Sequence, residues 1–285
     1  MMAAPSRSER QQMRTWFVTG SSRGLGRDIV VAALEAGDQI VATARDPADL
    51  ADLAEHHPDR LLPLALDVTN AAMVDRAMAE ALARFGRIDI GVNNAGYANT
   101  ASLEDMRIDD FERQVETNFF GTVRVTKALL PIMREQGGGH IFQIASVGAR
   151  IATVGLSAYQ SAKFAVRGFS LVVAQEVAPL GIRMTVVQPG GMRTDWAGSS
   201  MHVPEPSPPY RDTVGTFAAM LRSHSGHEAS DPAKVAKVIV DLAGREDAPV
   251  DLLIGTDAFE YAGQAARRVL EADEAWRAVT VSVSA

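Results

Sequence analysis

Short apolar runs alternate with longer helix-patterned segments from Thr15 to about residue 190. Few architectures accept that alternation. A strand separated from the next by a helix runs parallel to it, so repeated strand–helix units specify a parallel sheet with helices on its faces. Six strands are expected, at Thr15 to Thr19, Gln39 to Ala44, Leu61 to Leu66, Ile88 to Asn93, His140 to Ala145 and Ile182 to Gln188, with Leu252 to Ile254 as a seventh. Their near-continuous apolar character is that of strands buried on both faces. The fold class expected is α/β, a single Rossmann-type doubly wound domain over residues 14–285 with a mostly parallel sheet of about seven strands. Residues 1–13 read as a disordered tail.

The intervening helices carry boundary chemistry. Asp46 followed by Pro47 predicts an N-cap with proline in the first turn. Met106 to Glu135 and Ser157 to Leu180 are long and apolar on more than one side. They bury a second face either within a monomer or against a partner subunit. From Trp196 to Tyr210 the crowding of Pro204, Pro206, Pro208 and Pro209 opposes regular structure. A loop or lid over about 192–225 is expected there, with helical patterning again at Asp231 to Ala243 and Phe259 to Trp276.

Composition removes several classes of function. A formal net charge of −7 argues against nucleic acid as a partner, since a phosphate backbone demands a dense basic surface. With no cysteine, disulfides, thiol nucleophiles and thiolate metal sites are excluded, and a reducing cytoplasm suits the chain. No run of about 18 apolar residues occurs, so no membrane span is expected. The six histidines, including His56-His57 and the His224/His227 pair around Gly226, assemble no convincing metal site.

Where the first strand ends, Thr19-Gly20-Ser21-Ser22-Arg23-Gly24-Leu25-Gly26 leads into a helical segment. Glycines there let the backbone turn tightly and approach a pyrophosphate, while the helix N-terminus offers free N–H groups and partial positive charge. The spacing Gly20, Gly24, Gly26 departs from GxGxxG. Further along, Tyr159 and Lys163 stand four apart in a helical segment and share a face. Tyrosine titrates near 10, and an adjacent ammonium lowers that value toward neutrality, a role expected of Lys163.

Together these motifs resemble the short-chain dehydrogenase/reductase family over about residues 14 to 195. Within it the chain is most similar to a branch of 17β-hydroxysteroid-dehydrogenase-like bacterial reductases, through Val41 to Arg45 and Pro189 to Trp196. The resemblance assigns cofactor contacts to Gly20, Ser22, Arg23, Gly24, Leu25 and Gly26, and adenine contacts to Asp67 and Val68. Asn94, Ala95 and Gly96 belong to its Asn93-Asn94-Ala95-Gly96 motif, and Pro189, Gly190, Met192 and Thr194 to its nicotinamide-side loop. Ser146, thirteen positions before Tyr159, would polarise the substrate oxygen. Tyr159 would exchange the proton, Lys163 would hold the nicotinamide ribose, and Asn118 would orient a relay water.

The implied activity is NADP(H)-dependent interconversion of a carbonyl and an alcohol, without a metal, and the resemblance further implies a homodimer or homotetramer through the two long helices. Arg45 at the tip of the second strand, with Arg23, points to NADP, because a guanidinium grips phosphate with two parallel hydrogen bonds. The alternative, Asp46 serving the ribose of NAD(H), stays open, as does a non-catalytic NADP-binding interaction protein. A nucleotide- or methyl-donor-binding transferase would leave Ser146, Tyr159 and Lys163 without a purpose. Ile151, Val154, Leu156, Trp196, Met201, Tyr210, Phe217 and Met220 offer an apolar substrate pocket, or pack as the lid's own core.

Overall fold

The computed structural model of the protein describes residues 13–194 and 201–284. Seven strands form one sheet: β1 Thr15–Thr19, β2 Gln39–Ala44, β3 Leu61–Ala65, β4 Ile90–Asn93, β5 Gly139–Ile144, β6 Ile182–Pro189 and β7 Asp251–Ile254. Their order is β3-β2-β1-β4-β5-β6-β7, and every neighbouring pair is parallel. The expected sheet is therefore present and wholly, rather than mostly, parallel.

The helices are α1 Gly24–Glu35, α2 Ala51–His56, α3 Ala71–Phe85, α4 Ile108–Val115, α5 Gly121–Gln136, α6 Ser157–Val177, α7 Thr216–His224, α8 Pro232–Ala243, α9 Thr256–Ala275 and α10 Arg277–Val281. Side chains alternate across each strand and build two cores. Trp16, Val18, Ile40 and Ala42 pack with Ile29 and Ala33 of α1 and with Ile239 of α8. Phe17 and Val41 face the other way, onto Met78 of α3, Leu129 of α5 and Val173 of α6. Both faces of the sheet are covered, which is why the inner strands show no polar alternation.

Asp46 caps as expected, its carboxylate accepting from the Ala48 amide at 2.9 Å, although the turn it starts, Pro47–Leu50, is 3-10 and leads into α2. The single helix expected over Met106 to Glu135 is instead two, joined by a π-turn at Glu116–Phe120 in which the Gly121 amide reaches back to the Glu116 carbonyl. Part of the expected lid is also regular. Pro208–Tyr210 forms a 3-10 turn, and α7 ends at His224, so His224 does not lie in an irregular stretch. Trp196 and the tail before residue 13 lie outside the described residues.

The strand order reverses between β1 and β4, so the connections leaving these two strands diverge and open a crevice at their carboxyl ends. Thr19 closes this end of the sheet. Its Oγ1 accepts from the Asn94 and Ala95 amides at 3.0 and 3.1 Å.

Candidate active site

At that crevice the glycine turn is shaped by close approach. Gly20 has φ 68°, and a Cβ on it would stand 2.8 Å from the Ala95 Cα. A Cβ on Gly26 would fall on the Gly20 carbonyl oxygen and the Asn94 amide nitrogen. The Asn94 side chain holds the turn by donating to the Thr19 and Gly20 carbonyls, each at 3.0 Å. Asn94 is thus committed to shaping the turn. Leu25 is buried in the core, Ser22 is half-buried, and Arg23 is exposed at the N-cap of α1.

The N-cap residue of α1, Arg23, makes no side-chain capping hydrogen bond to the helix, and the first turn holds no acidic residue. By contrast α3 and α8 are capped by Asn70 and Asp231. A helix N-terminus of this kind behind a glycine cradle fits a pyrophosphate, whose charge and acceptors complement the terminal N–H groups.

Around the cradle stand the ends of β2, β3 and β4. Arg45 is exposed one residue beyond β2, close enough to Tyr97 to favour its phenolate, although burial dominates and pushes the Tyr97 phenol up. Asp67 turns its carboxylate onto its own chain, accepting from the Thr69 amide at 2.9 Å and hydroxyl at 2.7 Å. Val68 is buried against Gly121, where a Cβ would meet its Cγ2 at 2.5 Å.

The sequence-selected reactive residues converge. Ser146 follows β5, its Oγ accepting from the Gly148 amide at 3.0 Å, and it shares a hydrogen bond with the Tyr159 hydroxyl. Lys163, one turn on, donates from Nζ to the Ile144 carbonyl at 2.7 Å, and that Nζ lies 5.8 Å from the Tyr159 ring centroid. Asn118 lies on the π-turn, where its amide grips the Tyr97 backbone: Nδ2 donates to the carbonyl at 2.7 Å and Oδ1 accepts from the N–H at 3.0 Å. Gly96 separates Asn118 from Lys163, for a Cβ there would stand 2.9 Å from Asn118 Oδ1 and 3.7 Å from Lys163 Nζ. The polar atoms of the buried asparagine are satisfied by protein, so its burial needs no water to explain it.

The expected lowering of the Tyr159 phenol does not prevail: burial pushes the phenol up to about 12, against a smaller opposing pull from the Ser146 hydrogen bond. That rise corresponds to roughly 3 kcal/mol against phenolate. Burial also pushes the Lys163 ammonium down to about 8, so the ammonium is itself destabilised. The physical cause lies above the site. Tyr159 packs with Ala98, Leu156 and Met201, and Val203, Phe217 and Leu221 close over that cluster.

Of the expected pocket residues, Leu156, Met201 and Phe217 therefore meet at Tyr159, and Ile151 is half-buried. Val154 and Met220 are exposed, and Tyr210 points outward to donate to Glu104 at 2.8 Å, so these three do not line the cluster.

The Pro189–Thr194 loop completes the crevice. Met192 bridges to Ser230, and Thr194 stands against the glycine turn, 3.6 Å from the position of a Cβ on Gly24. Sequence reasoning missed three supports. Thr19 ties β1 to β4, as described. Gln160 fixes the run between Ser146 and Tyr159, its Oε1 accepting from the Thr153 amide at 2.8 Å. Asp257, on α9, accepts from the Gly191 amide at 2.7 Å. Gln160 sat inside the Tyr159–Lys163 motif, but Asp257 had no local signal.

Known proteins share both sequence and architecture with this chain. The short chain dehydrogenase family profile matches residues 14–203. Oxidoreductase BOA17 of Botryotinia fuckeliana is 54% identical over 270 residues, covering 94% of this chain and 98% of that protein. A short-chain dehydrogenase from Streptomyces avermitilis superposes with TM-score 0.89 at 35% identity, covering 96% and 100% of the two chains. An alcohol dehydrogenase from Thermococcus sibiricus, solved with 5-hydroxy-NADP, superposes with TM-score 0.71 at 25% identity, covering 86% and 97%. With the parallel sheet and the crevice at its reversal point, these likenesses establish that the chain belongs to the short-chain dehydrogenase/reductase family, the NAD(P)-dependent oxidoreductases that act on CH–OH groups.

Proposed function

We propose that the protein interconverts an apolar ketone or aldehyde and its alcohol with NADP(H), using Tyr159 as the proton-exchanging group. The observation that carries this reading is the Ser146–Tyr159 hydrogen bond with Lys163 beside it, at the mouth of a glycine cradle. The nicotinamide, when bound, supplies or accepts the hydride. Gly20, Ser22, Arg23, Gly24, Leu25 and Gly26 shape its pyrophosphate site. Asp67, Val68, Asn94, Ala95 and Gly96 border its adenosine half, and Pro189, Gly190, Met192 and Thr194 its nicotinamide half.

Ser146 holds the substrate oxygen through its hydroxyl, and Tyr159 gives that oxygen its proton. Lys163, beside the Tyr159 ring, would hold the ribose hydroxyls. Asn118 keeps the Tyr97 backbone, and with it the proton path from solvent, in place. Leu156, Met201 and Phe217 supply the apolar wall that selects the substrate.

The charge states set how the rate in each direction depends on pH. With the phenol pushed up to about 12, Tyr159 is protonated across the neutral range and ready to act as an acid. Oxidation needs the phenolate, which becomes populated only as pH rises toward that value. Initial rates of alcohol oxidation should therefore climb steadily through the alkaline range, while carbonyl reduction stays flat across neutrality. An oxidation rate that peaks at neutral pH would contradict the role of Tyr159.

NADP is read over NAD because Asp46 Oδ1 accepts from the Ala48 amide, which gives the carboxylate a capping role in its own turn. Arg45 beside it is exposed and cationic. Arg45→Asp should shift the NADPH to NADH ratio of kcat/KM by roughly 100-fold toward NADH, the worth of a lost charge-assisted phosphate contact. An unaltered ratio would place the phosphate elsewhere. Exposed Phe164 and Val172 on α6 support a homo-oligomer formed through that face, which light scattering reads directly.

A further inference from the structure

The Pro189–Thr194 loop is held from behind by the end of β7 and the start of α9. Its Gly190 amide donates to the Ile254 carbonyl at 2.9 Å, and its Gly191 amide donates to Asp257 Oδ2 at 2.7 Å. Ser230 brackets the same loop, donating its amide to the Gly191 carbonyl at 3.0 Å and accepting at its own carbonyl from the Arg193 amide at 3.0 Å. Asp257 lies in the first turn of α9, where an acidic residue usually serves its own helix. Here one carboxylate oxygen leaves the helix to hold a segment 66 residues earlier.

The fit around this carboxylate is tight and costly. Asp257 Oδ1 is buried and has no hydrogen-bond partner among the described residues. A buried acceptor without a protein partner carries a desolvation penalty, so its placement calls for a structural reason. The three atoms nearest a Cβ placed on Gly190 all belong to the Asp257 carboxyl group. Gly255, with φ 111°, would put a Cβ 2.7 Å from the same Oδ1 and 2.9 Å from Ser230 Oγ. Two glycines thus make room for one side chain. The loop it holds runs on to Thr194, which abuts the glycine turn at Gly24.

We infer that Asp257 is a positioning residue: its carboxylate fixes the Pro189–Thr194 loop against the glycine turn, and so sets how tightly the nicotinamide dinucleotide is held. This rests on the cofactor reading proposed above. It makes helix α9, which lies beyond the family match ending at residue 203, part of the cofactor-binding apparatus.

The test is a titration of NADPH fluorescence with wild-type protein, Asp257→Ala, Gly190→Ala and the double variant, after circular dichroism has shown each to be folded. Asp257→Ala should weaken NADPH binding by roughly tenfold, the worth of a hydrogen bond to a charged group, while kcat at saturating NADPH changes far less. Gly190→Ala should weaken it further. The double variant should bind better than Gly190→Ala alone, because removing the carboxylate empties the space the new methyl group needs. Asp257→Asn keeps an acceptor for the Gly191 amide and should stay within about threefold of wild type; it also serves as the test pair with wild type if the alanine variant fails to fold. Wild-type binding with strictly additive single effects, with an unchanged Asp257→Ala affinity, or with an Asp257→Asn affinity as weak as that of a folded Asp257→Ala, overturns this inference alone. A wild-type protein that binds no nicotinamide dinucleotide overturns the cofactor reading and this inference together.

Discussion

Tyr159→Phe is expected to cut carbonyl reduction by roughly 10²- to 10⁴-fold, the usual worth of a positioned general acid, while NADPH affinity changes little. The substitution removes one hydroxyl from a ring that is otherwise packed among Ala98, Leu156 and Met201. The ring and its contacts remain, so stability should fall only slightly. Lost with the hydroxyl is its hydrogen bond to Ser146, whose own Oγ stays fixed by the Gly148 amide at 3.0 Å. The serine therefore still holds the substrate oxygen, and the defect belongs to proton transfer alone. The signature is a kcat effect with a nearly constant KM for NADPH, measured by steady-state absorbance. Activity within threefold of wild type would remove Tyr159 from the reaction.

The second large effect concerns the cradle. Gly26→Ala should abolish measurable NADPH binding, because its methyl group would overlap the Gly20 carbonyl oxygen and crowd the Asn94 amide that holds the turn. Neither obstacle is the flexible end of a long side chain. The carbonyl is backbone, and Asn94 is pinned by donating to Thr19 and Gly20 at 3.0 Å each. Relief requires moving the glycine turn itself, and with it the N-terminus of α1. Gly263→Ala in α9 is the matched control, since a Cβ there meets only the flexible end of Arg267, at 3.7 Å. That change should leave binding intact and add up to about 1 kcal/mol of stability through helix propensity. Calorimetric titration of the two variants compares them directly, and equal affinities would contradict a pyrophosphate site at this turn.

Much of this architecture could be read from the residues, and for identifiable reasons. Strands such as Thr15–Thr19 and Gln39–Ala44 are buried on both faces, so their sequences announce them without reference to neighbours. The glycine spacing and the Tyr159–Lys163 spacing are local, and local chemistry survives in a sequence. What was hidden depends on distant partners. The π-turn at Glu116–Phe120 interrupts an unbroken helical pattern, and it carries the asparagine whose amide grips Tyr97 on another segment. Such turns recur at functional sites because the extra residue re-aims one side chain.

The reversed expectation for Tyr159 has the same origin. Its neighbour Lys163 is visible in the sequence, but the burial that outweighs it comes from Met201, Val203, Phe217 and Leu221, folded down from the segment after β6. At close range an ammonium favours phenolate, whereas full desolvation opposes both charged forms, and here desolvation wins for each residue. Asp257 was equally beyond reach, because nothing within its own segment marks it as the partner of Gly191.

The most direct test follows a label. Wild-type protein is incubated with NADPH deuterated at the transferable position of the nicotinamide and with a panel of apolar ketones and aldehydes, and the products are weighed by mass spectrometry. The expected result is an alcohol carrying one deuterium on its carbinol carbon, formed by the wild type and nearly absent with Tyr159→Phe. Unlabelled alcohol, or equal labelling by the phenylalanine variant, would contradict the account.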